Sequence, residues 1–146
     1  SAAKENEEAL VEHTYSIDAE DFATAGEASQ KIKNLLKQLG VDAELVRRVA
    51  IACYEAELNI AIHSYGGRLI FLVTPHKIQL TAEDTGPGIP DIELAMKEGY
   101  STASEQAREL GFGAGMGLPN ISRCASQIDI QSKVGQGTTL TITFLF

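Results

Sequence analysis

The sequence predicts a two-layer α/β sandwich, in which helices pack on one face of a mixed, mostly antiparallel sheet. Two periodicities alternate along the chain: short stretches with apolar residues at every second position, and longer ones with apolar residues every three to four positions. The chain has 146 residues, 44% of them hydrophobic, enough for one domain with a core. Strands and helices with one apolar face bury those faces against each other. We expect a single domain over residues 10–146, after a polar tail at 1–9 that is disordered or a remnant of cloning.

The first half of the chain predicts an edge strand followed by two helices. Residues 10–17, "LVEHTYSI", alternate between apolar and polar side chains, as a half-buried strand does. From Asp21 the apolar spacing becomes helical, and Gly40 ends that helix in the manner of a C′ glycine. Asp42 is placed to cap a second helix, which is predicted to continue to about His63.

The second half predicts a hairpin, a short helix, a loop, another helix and a final hairpin. Thr74 and Pro75 separate the two strands of the first hairpin, and "GQG" turns the second. The loop has no clear period and several small or polar residues, which is typical of a mobile segment. These elements are expected at residues 68–84, 91–99, 100–110, 118–126 and 127–146.

Composition narrows the classes of function. Twelve basic and 20 acidic residues give a formal charge of -8, which disfavours direct nucleic-acid binding but leaves a small anionic ligand open. No apolar run reaches the roughly 20 residues of a membrane span. Cys53 and Cys124 match neither a metal spacing nor a disulfide framework, so we expect reduced, buried thiols. Together these features predict a cytoplasmic protein without a membrane or nucleic-acid partner.

The second predicted helix has a polar stripe. Glu55, Asn59 and His63 are four residues apart and therefore share one face of the helix. This stripe is either the solvated side of the helix or the wall of a polar cleft. A carboxylate and an amide oxygen one turn apart are suitable ligands for Mg²⁺. Glu57 lies about 200° around the helix from Glu55, and we interpret it as a surface charge.

A glycine-rich segment precedes the last predicted helix. In "GFGAGMG", Gly111, Gly113, Gly115 and Gly117 alternate with other residues. Glycines let backbone amides approach a phosphate closely, and a helix N-terminus adds donors and a favourable dipole. The segment lacks the Gly-Lys-Ser/Thr of a Walker A loop, so flexibility alone is an equally good explanation.

Asp84 ends the strand "KIQLTAED" immediately before Gly-Pro-Gly. One hypothesis is that its carboxylate caps the turn. The other is that the turn presents a carboxylate, which has only acceptors, to an exocyclic amine such as that of adenine. Thr138 and Thr139 begin the last strand, where threonine is common for structural reasons alone.

These motifs, in this order, resemble those of the GHKL ATPase superfamily, whose Bergerat fold occurs in gyrase, the ninety-kilodalton heat-shock chaperone, mismatch-repair proteins and histidine kinases. "YEAELNIAIHSYG" resembles the N box, "EDTGPGI" and "GFGAGMGL" resemble the two glycine boxes, and "GQGTTLTI" resembles the closing segment. The resemblance extends from about Ala50 to Phe146. The small size, together with "GAGMGLPNI", is most similar to the bacterial anti-sigma factor and switch-type serine kinases.

The resemblance implies a role for each motif residue. Asp84 would accept a hydrogen bond from the adenine amino group, with Thr138 or Thr139 assisting. Asn59 would bind Mg²⁺, Glu55 would contact the metal through water, and Glu55 would also act as the general base. The other residues implied to bind ATP or ADP are Gly86, Gly88, Ile89, Gly111, Phe112, Gly113, Ala114, Gly115, Met116, Gly117 and Leu118.

The resemblance assigns less specific roles to two further residues and to the lid. Arg108 lies in the lid segment, where it either reaches the γ-phosphate or is solvated. His63 follows the N-box pattern, and a packing role is expected for it. The segment between the glycine boxes is short for the family, so slow turnover or dependence on a partner is expected.

The implied function is transfer of the ATP γ-phosphate to a serine of an anti-anti-sigma-like partner protein. A sigma factor and a second copy of the chain are further partners known in the family. The alternatives are a weakly catalytic module that senses ATP against ADP within a larger complex, and an ATPase whose nucleophile is water.

Overall fold

The computed structural model describes residues 8–97 and 117–146. The strands are β1 (Val11–Ile17), β2 (Gly67–Val73), β3 (Lys77–Thr85), β4 (Gln127–Lys133) and β5 (Gly137–Leu145). The helices are α1 (Glu27–Gln38), α2 (Ala43–His63), α3 (Ile92–Ala95) and α4 (Gly117–Cys124). Among these described residues, no helix is both long and apolar enough to cross a membrane.

The five strands form one sheet in the order β1-β2-β3-β5-β4. Each of the four pairings between described strands is antiparallel. The predicted α/β sandwich with a mostly antiparallel sheet is therefore confirmed, and β1 is an edge strand as expected.

The core lies between one face of the sheet and the helices. Alternate side chains of β2, β3 and β5 are buried, and α1 and α2 cover them. The intervening side chains point to the other face of the sheet, where Ile70 and Leu72 remain only half-buried. The largest fully buried side chains are Phe71, Phe144, Ile32, Leu36, Ile60, Leu69, Ile78, Leu80, Ile121 and Ile142.

Two helix boundaries follow local signals closely, whereas α1 begins later than predicted and α3 ends at Ala95, before the expected residue 99. Asp42 caps α2 by accepting from the backbone N–H groups of Glu44 and Leu45. Gly40 has a φ of 77° just after α1, as a C′ glycine does. However, α1 begins at Glu27 rather than near Asp21. Gly26 interrupts the helical path with a φ of 100°.

Glu57 is not a surface charge, so that interpretation is wrong. Its side chain is 2% exposed. The carboxylate accepts from the backbone N–H groups of Gly26, Ala28 and Ser29, at 3.0, 3.3 and 3.1 Å. Since the first N–H groups of a helix have no partner within it, Glu57 supplies the N-terminal cap of α1 from the neighbouring helix α2.

The two cysteines are both free thiols. Cys53 is fully buried in α2, as predicted. Cys124, at the end of α4, is only half-buried. The expectation of a buried thiol is therefore met in full only by Cys53, whereas Cys124 is a partly buried residue packed against the core.

Candidate functional site

The polar stripe of α2 faces helix α4. Glu55, Asn59 and His63 are each half-buried rather than exposed, which is inconsistent with a purely solvated face. Glu55 lies beside Asn120 of α4, and Asn59 lies against Gly117 at its first turn. At Glu55 and Asn59 the stripe therefore packs against α4 and does not face solvent alone.

Glu55 is the first residue of this stripe. Asn120 Nδ2 donates to Glu55 Oε1 at 3.5 Å. Partial burial raises the pKa of the Glu55 carboxyl above its ordinary value, and the Asn120 hydrogen bond acts in the opposite direction. A carboxylate with a raised pKa is suited to receive a proton from a nearby hydroxyl.

Asn59 is packed closely against the N-terminus of α4. A Cβ atom at Gly117 would lie 2.8 Å from Asn59 Oδ1 and 3.2 Å from Nδ2, so a larger residue there would displace the Asn59 amide. The amide oxygen of Asn59 therefore lies where the glycine-rich segment enters the helix. Within the described residues, no cluster of three His, Cys, Asp or Glu side chains could hold a metal ion.

His63 ends the stripe. Its pKa is lowered because burial disfavours the charged imidazolium.

Asp84 lies at the end of β3, between its two neighbouring strands. In the strand pairing it lies opposite Gly67 on β2 and opposite Thr138 on β5. The backbone N–H of Thr138 donates to Asp84 Oδ1 at 3.1 Å. Partial burial raises the pKa of the Asp84 carboxyl above its ordinary value, and the hydrogen bond from Thr138 acts in the opposite direction. Among the described residues, Oδ2 accepts no hydrogen bond.

The turn after Asp84 is held without the Asp84 side chain. The N–H of Thr85 donates to Gly66 O, and the N–H of Gly86 donates to Gln136 O. The carboxylate therefore does not cap the turn in the described structure, which leaves one of its oxygens available for a ligand.

The glycines of this turn are required by close approach. A Cβ at Gly86 would lie 3.1 Å from the Cα of Ser64. Gly88 has a φ of 75°, and a Cβ there would lie 2.6 Å from Lys133 O. The turn thus packs against the end of α2 on one side and against the β4–β5 hairpin on the other.

Ser132 connects this turn to β5. Its hydroxyl accepts from the N–H of Ile89 at 2.7 Å and lies 2.8 Å from Thr138 Oγ1. Thr139 pairs with Glu83 and lies on the opposite face of the sheet, so Thr138 is the threonine beside Asp84. Sequence reasoning missed both Ser132 and Asn120, because each acts through a partner that is distant in the chain.

Of the remaining predicted residues, the structure describes those from Gly117 onwards. Gly117 and Leu118 are described, and Leu118 packs on the core. The others lie outside the described residues: Arg108, Gly111, Phe112, Gly113, Ala114, Gly115, Met116 and the lid segment 100–110. The structure therefore brings together Glu55, Asn59 and Gly117 in one cluster, and Asp84, Thr138 and Ile89 in another.

Comparison with known proteins places most of the chain in one family. The model of the family "histidine kinase-, DNA gyrase B-, and HSP90-like ATPase" matches residues 32–146. The serine/threonine-protein kinase RsbT of Bacillus subtilis is 31% identical over 77% of this chain and 82% of its own length. The anti-sigma F factor of a Thermoanaerobacter species is 30% identical over 73% of this chain and 74% of its own.

A similar fold is found in a solved structure. A chain of the SiaB–SiaC complex from Pseudomonas aeruginosa superposes with a TM-score of 0.62, covering 98% of this chain and 94% of that one. The two sequences are 12% identical, so this similarity concerns the fold alone.

Proposed function

Since the chain belongs to the family of histidine kinase-, DNA gyrase B- and HSP90-like ATPases, we propose that it is an ATP-dependent protein-serine kinase. It transfers the γ-phosphate of ATP to a serine of a regulatory partner protein. The observation that carries the proposal is the position of Glu55, a half-buried carboxylate that contacts Asn120 of α4 at 3.5 Å one helical turn from Asn59, which packs on Gly117; burial also raises its pKa. The two relatives named as a serine/threonine-protein kinase and an anti-sigma factor support the same activity.

The nucleotide extends between the two residue clusters. Asp84 Oδ2 accepts from the adenine amino group, while Thr138 holds Oδ1 and fixes the carboxylate. Gly86, Gly88 and Ile89 form the floor beneath the base. The phosphates lie at the N-terminus of α4, where backbone N–H groups and the helix dipole favour anions. Gly111 to Leu118 surround them in this proposal, and Arg108 reaches the γ-phosphate.

The transfer step requires one base and accurate positioning. The serine Oγ forms a bond to the γ-phosphorus, the bond from that phosphorus to the β–γ bridging oxygen breaks, and ADP leaves. The serine proton passes to Glu55. Phosphoryl transfer depends mainly on orientation and charge stabilisation, so a single carboxylate with few further groups suffices.

The donor set fits Mg²⁺. Asn59 offers an amide oxygen, and Glu55 offers a carboxylate that contacts the ion through water. Mg²⁺ on a nucleotide usually keeps phosphate oxygens and water as ligands, so these two side chains would be enough to hold it. The ion supplies charge neutralisation on the phosphates.

The proposed setting is the cytoplasm, where ATP and an acceptor protein are both available; the free thiols support it. The partner is an anti-anti-sigma-like protein that carries the acceptor serine. A sigma factor is proposed as an additional partner from the name of the anti-sigma relatives, and a second copy of the chain from the resemblance to the family.

Labelling with γ-³²P-ATP tests the proposal. The protein is used to capture its partner from its native cells, with and without Mg-ATP, and the labelled site is mapped. We expect label on a serine of the partner, and loss of transfer in Glu55→Ala. Nucleotide binding without any transfer would favour the ATP/ADP-sensing module instead. Phosphate release to water without a partner, as fast as the labelling, would favour an ATPase.

A further inference from the structure

Asn120 lies between the proposed base and an arginine. It is on the first turn of α4, three residues after Gly117, and it is half-buried. Its Nδ2 donates to Glu55 Oε1 at 3.5 Å, and its Oδ1 accepts from a guanidinium nitrogen of Arg123 at 2.7 Å. The two contacts form a chain from Arg123 through Asn120 to Glu55.

The chemistry of the three groups defines the orientation of the amide. A guanidinium has only donors and an ionised carboxylate has only acceptors. With the amide oxygen towards Arg123 and the NH₂ towards Glu55, both contacts are attractive. A flipped amide would oppose donor to donor at Arg123 and acceptor to acceptor at Glu55. Arg123 therefore selects the rotamer in which Asn120 donates to the carboxylate.

We propose that Asn120 is a positioning residue that holds Glu55 Oε1, so that Oε2 faces the acceptor hydroxyl, and that Arg123 fixes the Asn120 amide. The inference rests on the proposed kinase function. Within the described residues, Asn120 is the sole hydrogen-bond partner of the Glu55 side chain. Without it, the carboxylate would be free to rotate about its side-chain bonds, and a misplacement of about 1 Å lowers a catalysed rate by about 100-fold.

A purely structural role for Asn120 is the competing explanation. Two other contacts already join α2 to α4. Asn59 packs on Gly117, and Arg48 donates to the carbonyl oxygen of Cys124 at 3.2 Å. Ile121 of α4 is fully buried in the core. Because α4 is anchored at both ends without Asn120, its removal is expected to leave the packing intact.

The experiment measures serine labelling of the captured partner by γ-³²P-ATP, with kcat and the KM for ATP determined separately. Asn120→Leu keeps the approximate size of the side chain and removes both polar contacts. We expect kcat to fall by about 10- to 100-fold. The dissociation constant of a fluorescent ATP analogue and the melting temperature should stay close to wild type. Asn34→Leu, at an exposed asparagine of α1 that contacts Gln30, is the matched control and should keep full activity.

Two further comparisons separate positioning from packing. In the Glu55→Gln background, Asn120→Leu should cause no additional loss, because its effect acts through the carboxylate. Arg123→Met should lower kcat less than Asn120→Leu does, and Arg123→Lys, which keeps a donor, should recover part of the activity.

The outcomes distinguish this inference from the function on which it rests. Equal losses from Asn120→Leu in the wild-type and Glu55→Gln backgrounds would overturn the positioning role. A raised KM with unchanged kcat would also overturn it, because it would assign Asn120 to nucleotide binding. A kcat equal to that of wild type would overturn it as well. If wild-type protein labels no serine, or if Glu55→Gln labels as fast as wild type, the kinase proposal itself fails and the inference fails with it.

Discussion

The cap that Glu57 provides to α1 gives a quantitative prediction of stability. In Glu57→Gln, the side chain keeps one acceptor oxygen and gains an NH₂ group among three backbone donors. If the oxygen stays with Gly26 and Ala28, the N–H of Ser29 loses its acceptor. A buried unpaired donor costs about 1–3 kcal/mol, and the two remaining bonds each lose roughly 1 kcal/mol of charge assistance. The relief of burying a charge offsets part of this sum, which leaves a net loss of about 2–4 kcal/mol.

Thermal unfolding of the nucleotide-free protein, followed by far-ultraviolet circular dichroism, measures this loss. For a chain of 146 residues, the typical unfolding entropy per residue converts it to a decrease of about 7–13 °C in the melting temperature. Glu55→Gln changes the same residue type two positions away on the same helix, and it should not lower the melting temperature, because Glu55 caps none of the described helices. A Glu57→Gln protein that melts within about 2 °C of wild type would show that the cap does not stabilise α1.

Three smaller predictions concern strand contacts, pH and thiol access. Gly67→Ala should disrupt the β2–β3 pairing, because the added Cβ would overlap the carbonyl oxygen of Glu83. Gly135→Ala meets no atom within 4 Å and should cost only the roughly 1 kcal/mol of its positive φ. Urea unfolding compares the free energies of unfolding of the two variants. Burial raises the pKa of Glu55 in the folded state, so the ionised carboxylate destabilises the fold at neutral pH. Below the pKa of the unfolded chain the carboxyl is protonated in both states, and this destabilisation disappears. Glu55→Gln should therefore raise the melting temperature at pH 7 and lose that advantage near pH 4; equal gains at both pH values would contradict this reasoning. Ellman's reagent should modify half-buried Cys124 slowly and leave fully buried Cys53 unmodified until the protein unfolds; prompt reaction of two thiols per folded chain would be inconsistent with the packing.

Much of the fold could be predicted from the sequence because its signals are local. The Asp42 cap, the Gly40 helix end and the two hairpins each depend on a few adjacent residues, and all are present. The start of α1 was predicted too early, since apolar spacing alone does not reveal that Gly26 has a left-handed conformation.

The errors and omissions at the site arise from contacts between distant parts of the chain. A helical wheel separates Glu57 from Glu55, but it does not show that the Glu57 side of α2 meets the N-terminus of α1. Ser132 contacts Ile89, which is 43 residues away in the sequence, and Asn120 contacts Glu55, which is 65 residues away. No motif or periodicity contains that information, because it depends on which helices and strands become neighbours. The roles assigned to Glu55, Asn59 and Asp84 in ATP chemistry stay predictions, since they are chemical rather than geometric statements.

Calorimetric titration of Mg-ATP into wild type and Asp84→Asn tests most directly whether Asp84 reads the base. The Thr138 N–H holds the amide oxygen of the variant at the Oδ1 position, so its NH₂ would face the adenine amino group, donor against donor. We expect ATP affinity to fall by about 10- to 100-fold, which corresponds to about 1–3 kcal/mol. Glu83→Gln, one residue earlier and on the other face of the sheet, should bind like wild type. An Asp84→Asn protein that binds Mg-ATP as tightly as wild type would contradict the account.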